Sequence, residues 1–362
     1  MTLPTSETPS MTAPLYAVVL AGGVGSRFWP LSTPQRPKQL LPLIGDAPML
    51  AETIDRLVPL VGAERILVLT SERLRDPILA AVPGLRADQL LLEPRPAGTA
   101  AALTWAAAEV ARRGGPDARM VCVHADWAIG DPERFRSTLA AAADAAASHG
   151  GLATVGIVPS RPDPGFGYIE PGATLTGGIR QVARFIEKPD IPRATQMVAA
   201  GYLWNSGIFA WRATDLLAEV RTVTPELGPA LMVMDAAGGA PSAEVFFGAV
   251  TGGISIDVGV LERSRRVIVL AGDFGWDDVG TWAALQRVRP HDADGNATFG
   301  RVITKAATKN VVHTEAGAVV LYGVHDLVVV VRDGVTLVTT VDLAHDLKSL
   351  VDTLPTDLKV LT

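Results

Sequence analysis

The segment Leu20-Ala21-Gly22-Gly23-Val24-Gly25-Ser26-Arg27, closed by Arg36-Pro37-Lys38-Gln39, gathers three glycines and several fixed cations within twenty residues. Glycines let backbone N–H groups approach phosphate oxygens, and cations such as Arg27 and Lys38 balance charge on a polyphosphate leaving group. Two well-known phosphate loops are excluded by residue type. The dinucleotide fingerprint needs a glycine where Phe28 stands, and the Walker A loop needs a Gly-Lys-Ser/Thr that the segment lacks. A strand can end in a glycine turn without any ligand. A core-only role does not explain Arg27, the Pro30-Leu31 turn and Lys38 in the same loop.

Acidic partners lie far away in sequence. Asp126, in His124-Ala125-Asp126-Trp127, follows an apolar run that reads as a buried strand. Mg²⁺ takes hard oxygen donors, usually one or two carboxylates together with phosphates. A helix cap is the competing role for Asp126, but Asp131, directly before Pro132, already fills it. Two residues compete as the second carboxylate. Asp278, in Trp276-Asp277-Asp278-Val279-Gly280, lies in a glycine-containing turn where backbone can approach a ligand; Asp257, in Ser255-Ile256-Asp257, lies in an apolar segment. Asp278 is favoured for the metal, and Asp257 for orienting another side chain.

A third group suits a sugar phosphate. In Phe185-Ile186-Glu187-Lys188-Pro189, neighbours on a strand face opposite sides, so both charges reach one pocket only if the proline turn reorients one. Glu187 would accept from sugar hydroxyls and Lys188 would meet the phosphate. Asn205 beside Gly207, and Gly167-Tyr168, suit sugar recognition too, although each also reads as an ordinary turn.

These residues need a frame. Short β-rich runs at 15–20, 65–70, 89–92, 119–124 and 152–157 alternate with helical patterns at 48–60, 72–81, 99–113 and 132–147. That alternation predicts an α/β fold with a mostly parallel sheet, whose ligands bind at the carboxyl ends of strands. Residues 160–290 are mixed, with strands near 167–170, 179–187 and 203–211 and helices at 213–222, 225–236 and 255–264, and are expected to cap the nucleotide half as an insertion. After the turn-rich His291–Asn296, short β runs and a helix at 342–353 predict a small C-terminal β domain. The expected division is a disordered tail over 1–14, a catalytic domain over 15–290 and the β-rich domain over 291–362.

Composition narrows the function classes. The chain has 362 residues, a formal net charge of -6 and one cysteine, Cys122. No basic footprint for nucleic acid and no polybasic membrane patch is present, and no internal disulfide can form. The tail lacks the pattern of a signal peptide, so a cytoplasmic setting is expected. The six histidines show no zinc spacing.

Taken in order, LAGGVGSRFWPLS with RPKQ, EPRPAGTAAAL, HADWAI, GFGYIE, FIEKPD, WNSGIF, SIDVGVLE and WDDVGTW resemble the nucleotidyltransferases that make nucleotide sugars, the mannose-1-phosphate guanylyltransferases above all. The resemblance implies a GT-A-like Rossmann core, and attack of mannose 1-phosphate on the α-phosphorus of GTP with release of pyrophosphate and no covalent intermediate. It implies nucleotide contacts at Leu20, Ala21, Gly22, Gly23, Gly25, Ser26, Arg27, Arg95, Gly98 and Thr99. Arg27 and Lys38 would stabilise the triphosphate, Asp126 and Asp278 would hold Mg²⁺, and Gly167, Tyr168, Glu187, Lys188, Asn205 and Asp257 would line the sugar site. The chain departs from the family in three places. Ala97-Gly98-Thr99 replaces an Arg-Asn-Thr, with Arg95 as the expected substitute; His124 and Trp127 flank Asp126; and Val258 stands where tyrosine is common. A related enzyme for another base or sugar such as a heptose, or a silent regulatory homologue, are the competing readings. A fused isomerase is not expected, and a homodimer through the β tail is.

Overall fold

A computed structural model describes residues 13–23 and 26–359. The first strands and helices are β1 (Leu15–Leu20), α1 (Met49–Val61), β2 (Ile66–Ser71), α2 (Arg75–Ala81), β3 (Leu90–Glu93), α3 (Gly98–Gly114), β4 (Arg119–His124), β5 (Ala128–Ile129), α4 (Pro132–His149) and β6 (Leu152–Ile157). The strands are apolar on both faces because helices cover both, and β1, β2, β4 and β6 are almost wholly buried. Asp131 caps α4 by accepting from the Arg134 N–H at 2.9 Å. The remaining strands of this half are β7 (Tyr168–Thr174), β8 (Arg180–Ile186), β9 (Leu203–Arg212), β10 (Val267–Gly272) and β11 (Trp276–Asp277).

Nine strands form one sheet in the order β3-β2-β1-β4-β9-β6-β10-β8-β7. Seven of them (β1, β2, β3, β4, β6, β7 and β10) point one way, and β8 and β9 run against them. The expected cap over residues 160–290 is therefore not a separate layer. Strand β9 inserts between β4 and β6 and continues the same sheet. The predicted helix at 255–264 is a single π-helical turn, Asp257–Leu261. Such turns occur often at functional sites.

A two-residue ladder joins β5 to β11, with Trp276 opposite Ile129 and Asp277 opposite Ala128. It brings the 276–280 turn beside the loop that follows β4. Sequence patterning gives no sign of a pairing this short.

The C-terminal region contains β12 (Ala297–Phe299), β13 (Val302–Lys305), β14 (Val311–Thr314), β15 (Val319–Tyr322), β16 (Leu327–Arg332) and β17 (Val335–Thr340). Parallel pairing of β12, β14 and β16, and separately of β13 and β15, stacks successive passes of the chain as a short coil. Asn296 and Asn310 stabilise the corners: the Asn310 side chain donates to Asn296 Oδ1 at 2.8 Å, and its own Oδ1 accepts from the Leu327 N–H at 3.0 Å. Phe28, Trp29, Leu31, Leu41 and Leu43 share one core with Trp282, Val311, Val328 and Leu347, so the loop after β1 rests on this coil.

Residues 1–12 lie outside the described residues, but the carbonyls of Ala13 and Pro14 both accept from Arg119 and belong to the folded part. Among the described residues no helix is long and apolar enough to cross a membrane.

Candidate active site

The carboxyl ends of β1 and β4 lie side by side, since Leu20 pairs with His124. Residues leaving these two strands therefore line common space. A cavity of about 330 Å³ is bounded by Leu20, Ala21, Gly22 and Gly23 on one side and by Glu93, Gly98 and Thr99 on another. A second, of about 410 Å³, is bounded by Arg27, Phe28, Lys38, Trp127, Asp278 and Gly280. His124 and Asp126 belong to both walls.

Gly22 and Gly23 are exposed to the first cavity. A Cβ on Gly23 would meet nothing within 4 Å, and one on Gly22 would reach only Glu93 Oε1 at 3.9 Å. Glycine here leaves the backbone open to a ligand. The loop is braced from behind by Gln39, a residue whose role its sequence motif did not disclose. Its side-chain amide donates to the carbonyls of Ala21 at 2.8 Å and Gly23 at 3.0 Å. Gly25 lies outside the described residues, and Ser26 opens the 3₁₀ turn Ser26–Phe28.

Gly98 begins α3 with φ +82°, and a Cβ there would stand 2.3 Å from the Ile254 carbonyl oxygen. Only glycine allows that approach. The Thr99 hydroxyl accepts from the Ile256 N–H at 2.8 Å, which docks the 254–257 segment against the helix start. Arg95 points elsewhere: its guanidinium donates to the carbonyls of Phe247, at 2.5 Å, and Val250. It does not line the cavity, so it does not replace the family's polar pair beside the nucleotide. Glu93 does line it, and sequence reading passed over this residue. Burial pushes its carboxyl up to about 7, and the nearest sequence signal was its place at the end of β3.

In the second cavity Lys38 joins two distant elements. Its ammonium donates to Asp126 Oδ2 at 3.0 Å and to the Asp278 carbonyl at 2.6 Å. The turn is held by Asp277, which accepts from the Val279 N–H at 2.9 Å and from Arg287 at 2.9 Å. Val279 takes φ +48°, an uncommon conformation for a β-branched residue, and is fully buried. Asp277 thus shapes the turn, and Asp278 is left to face the cavity. Burial, reinforced by the neighbouring Asp277 charge, holds the Asp278 carboxyl above its ordinary range despite Lys38 and a hydrogen bond from Gly280. A buried carboxylate with so little compensation suits a cation. Among the described residues no group of three or more His, Cys, Asp or Glu side chains is placed to hold one. Two carboxylates alone require the ion to find its other oxygens on water and phosphate.

The proposed sugar residues form a neighbouring cluster. Asn205 donates to Asp257 Oδ1 at 2.8 Å, and its N–H donates to the Gly167 carbonyl at 2.8 Å. A Cβ on Gly167 would stand 3.1 Å from Glu187 Oε2. Lys188 adopts φ +37° before Pro189 and pairs with Glu187 at 2.9 Å, with both side chains exposed and neither lining the two cavities. Tyr168 is different. It is fully buried, and its hydroxyl donates to the Asp163 carbonyl and accepts from the Asp163 N–H, each at 3.0 Å. It closes the 163–168 loop and has no hydroxyl left for a sugar.

His124 stands between the two regions. Its Nε2 would meet a Cβ on Gly207 at 3.2 Å, and its ring lies 4.9 Å from Trp127. Burial holds the imidazole below its ordinary range, although Asp126 and Asp257 oppose the shift. Behind it, Trp127, Trp276, Trp204 and Phe166 form a continuous aromatic wall.

Residues 16–295 match the Nucleotidyl transferase family, and the chain belongs to it. It is 36% identical over 364 residues to mannose-1-phosphate guanylyltransferase of Escherichia coli (strain K12), a match covering 95% of this chain and 74% of that protein. It is 33% identical to mannose-1-phosphate guanylyltransferase of Sinorhizobium fredii (strain NBRC 101917 / NGR234), covering 99% of this chain and 71% of that one. Among solved structures, mannose-1-phosphate geranyltransferase from Thermus thermophilus superposes with a TM-score of 0.85 at 35% identity, covering 93% of this chain and 98% of that chain.

Proposed function

We propose that this chain transfers GMP from GTP to mannose 1-phosphate, giving GDP-mannose and pyrophosphate. The observation that carries the reading is Lys38, clamped between Asp126 and the Asp278 carbonyl where the two cavities meet. The nucleoside occupies the glycine-lined cavity and the β- and γ-phosphates enter the cationic one. A phosphate oxygen of mannose 1-phosphate attacks the α-phosphorus, and the bond to the bridging oxygen of pyrophosphate breaks. The nucleophile is already anionic, so no general base is required; positioning and electrostatics carry the rate. Arg27 and Lys38 offset the charge that develops on departing pyrophosphate. Asp126 and Asp278 would hold Mg²⁺, which when bound neutralises phosphate charge. Glu187, Lys188 and Asn205 orient the sugar phosphate, with Asp257 fixing the Asn205 amide.

Glu93 supports guanine as the base. Guanine presents two adjacent donors, N1–H and the 2-amino group, and an ionised carboxylate accepts both. Adenine offers an acceptor at the matching position. The single buried cysteine supports a cytoplasmic setting. Pyrophosphate release is measured over a panel of nucleoside triphosphates and sugar phosphates with added Mg²⁺. Turnover with GTP and mannose 1-phosphate is expected to exceed every other pair. A faster pair of another base or sugar would replace the assignment, and no turnover with any pair would favour a silent homologue.

A further inference from the structure

The loop that carries Lys38 is fastened to the C-terminal coil at several separate points. Arg332, on β16, donates to the carbonyls of Pro30, at 3.4 Å, and Leu31. Arg289, just ahead of the coil, links the two by donating to the Leu43 carbonyl at 2.6 Å and to the Val312 carbonyl of β14 at 3.4 Å. Between these anchors, Arg36 makes a two-pronged ion pair with Glu315 at 2.7 and 2.6 Å, directly after β14. Arg36 is also locked to its own turn: its N–H donates to the Thr33 carbonyl at 3.1 Å, and its carbonyl accepts from the Thr33 N–H at 3.0 Å. Lys38 follows two residues later.

We infer that Glu315 is a positioning residue for phosphoryl transfer: through Arg36 it fixes the Thr33–Lys38 turn, and so sets where the Lys38 ammonium meets the polyphosphate. Three observations distinguish this pair from an ordinary surface ion pair. Its geometry is bidentate, which constrains direction as well as distance. It is half-buried, with side-chain exposures of 31% and 22%. The acid also sits in a prepared environment, with Arg332 at 3.9 Å and the wholly buried His313 at 3.8 Å. Burial alone would raise the Glu315 carboxyl, but the neighbouring His313 ring and the Arg36 guanidinium hold it at about 2. It is therefore ionised wherever the enzyme works. The coil thereby becomes part of the phosphate site without touching a phosphate.

The inference rests on the reading of Lys38 as a triphosphate group, so wild-type turnover of GTP and mannose 1-phosphate is established first; its absence sinks that reading, not this one. Steady-state kinetics and melting curves are then recorded for Glu315→Gln, Arg36→Gln and the double variant. Each single change is expected to lower kcat about tenfold, the scale of a small misplacement of a catalytic group. KM for mannose 1-phosphate should stay within about twofold, and the double variant should be no worse than either single one, because both remove the same contact. Asp144→Asn, which takes the partner from Arg119 at the amino end of β4, opposite the end that carries the site, should leave kcat unchanged. Wild-type kcat in both single variants overturns the inference. So do losses that multiply in the double variant, or that merely follow a lowered melting temperature. Should Glu315→Gln fail to fold, Arg36→Gln at the more exposed end of the pair carries the same test.

Discussion

Lys38 and Lys188 both meet phosphate in the proposed reaction, yet their surroundings differ. The Lys38 side chain is 7% exposed and joined to two elements, whereas Lys188 is 63% exposed and pairs with its own neighbour, Glu187. Beside Lys38, Gln39 braces the carbonyls of Ala21 and Gly23, and Asp277 holds the turn that carries Asp278. On the sugar side the amide of Asn205 is fixed by Asp257, but the charges stand in solvent. Preorganised charge in a water-poor site does more for a transition state than the same charge in water. On the proposed assignment, the difference means that the chemistry is built into the braced side and capture of the sugar phosphate is left to the open one.

Removing acids from the hydrogen-bonded side should have the largest effect. Asp126→Asn and Asp278→Asn should each lower kcat roughly a thousandfold, about 4 kcal/mol of transition-state stabilisation. Stability should move the other way for Asp278. Its folded carboxyl holds a proton more tightly than the ordinary value of 3.8 would allow, so its contribution to stability grows as pH falls through the raised value. At pH 7 the charge opposes folding, and Asp278→Asn should melt no lower than the wild type. Turnover and melting measured on the same preparations check both. An active Asp278→Asn variant would place the second acid elsewhere, with Asp257 next in line.

Glu93 comes next in magnitude. Glu93→Gln should reduce the preference in kcat/KM for GTP over ATP by roughly tenfold or more, since a site built to receive two donors is left mismatched. The sign of the pH effect follows from the carboxyl's value of about 7. Below it the acid becomes neutral, so KM for GTP should rise between pH 8 and 6 and flatten in the variant. A preference untouched by the substitution would detach Glu93 from the base.

The smallest change belongs to the open side. Lys188→Ala should raise KM for mannose 1-phosphate by only about three- to tenfold and leave kcat nearly unchanged, as solvent weakens an exposed charge. A large fall in kcat would mean that the sugar side is as preorganised as the other, and the contrast would fail.

Much of the scaffold was legible because local signals agree. Strands at 15–20 and 119–124 are buried on both faces and read as continuous apolar runs, and the Asp131-Pro132 pair marks the start of α4 without ambiguity. The placement of β9 inside the sheet was not legible, since antiparallel insertion depends on pairing with strands far away in sequence. Among site residues, glycine and charge at the loop after β1 were conspicuous. Gln39, Glu93 and Arg36 were not, because their roles come from what they touch across the fold. Tyr168 and Arg95 show the converse: residue types suited to ligands whose polar atoms the fold had already engaged.

The wall shared by His124 and Asp126 has a consequence for the order of events. In the proposed reaction the bond that breaks lies at the wall the two cavities share, so pyrophosphate and the nucleotide sugar part on either side of His124 and Asp126. The reverse reaction would then require both cavities to be filled at once.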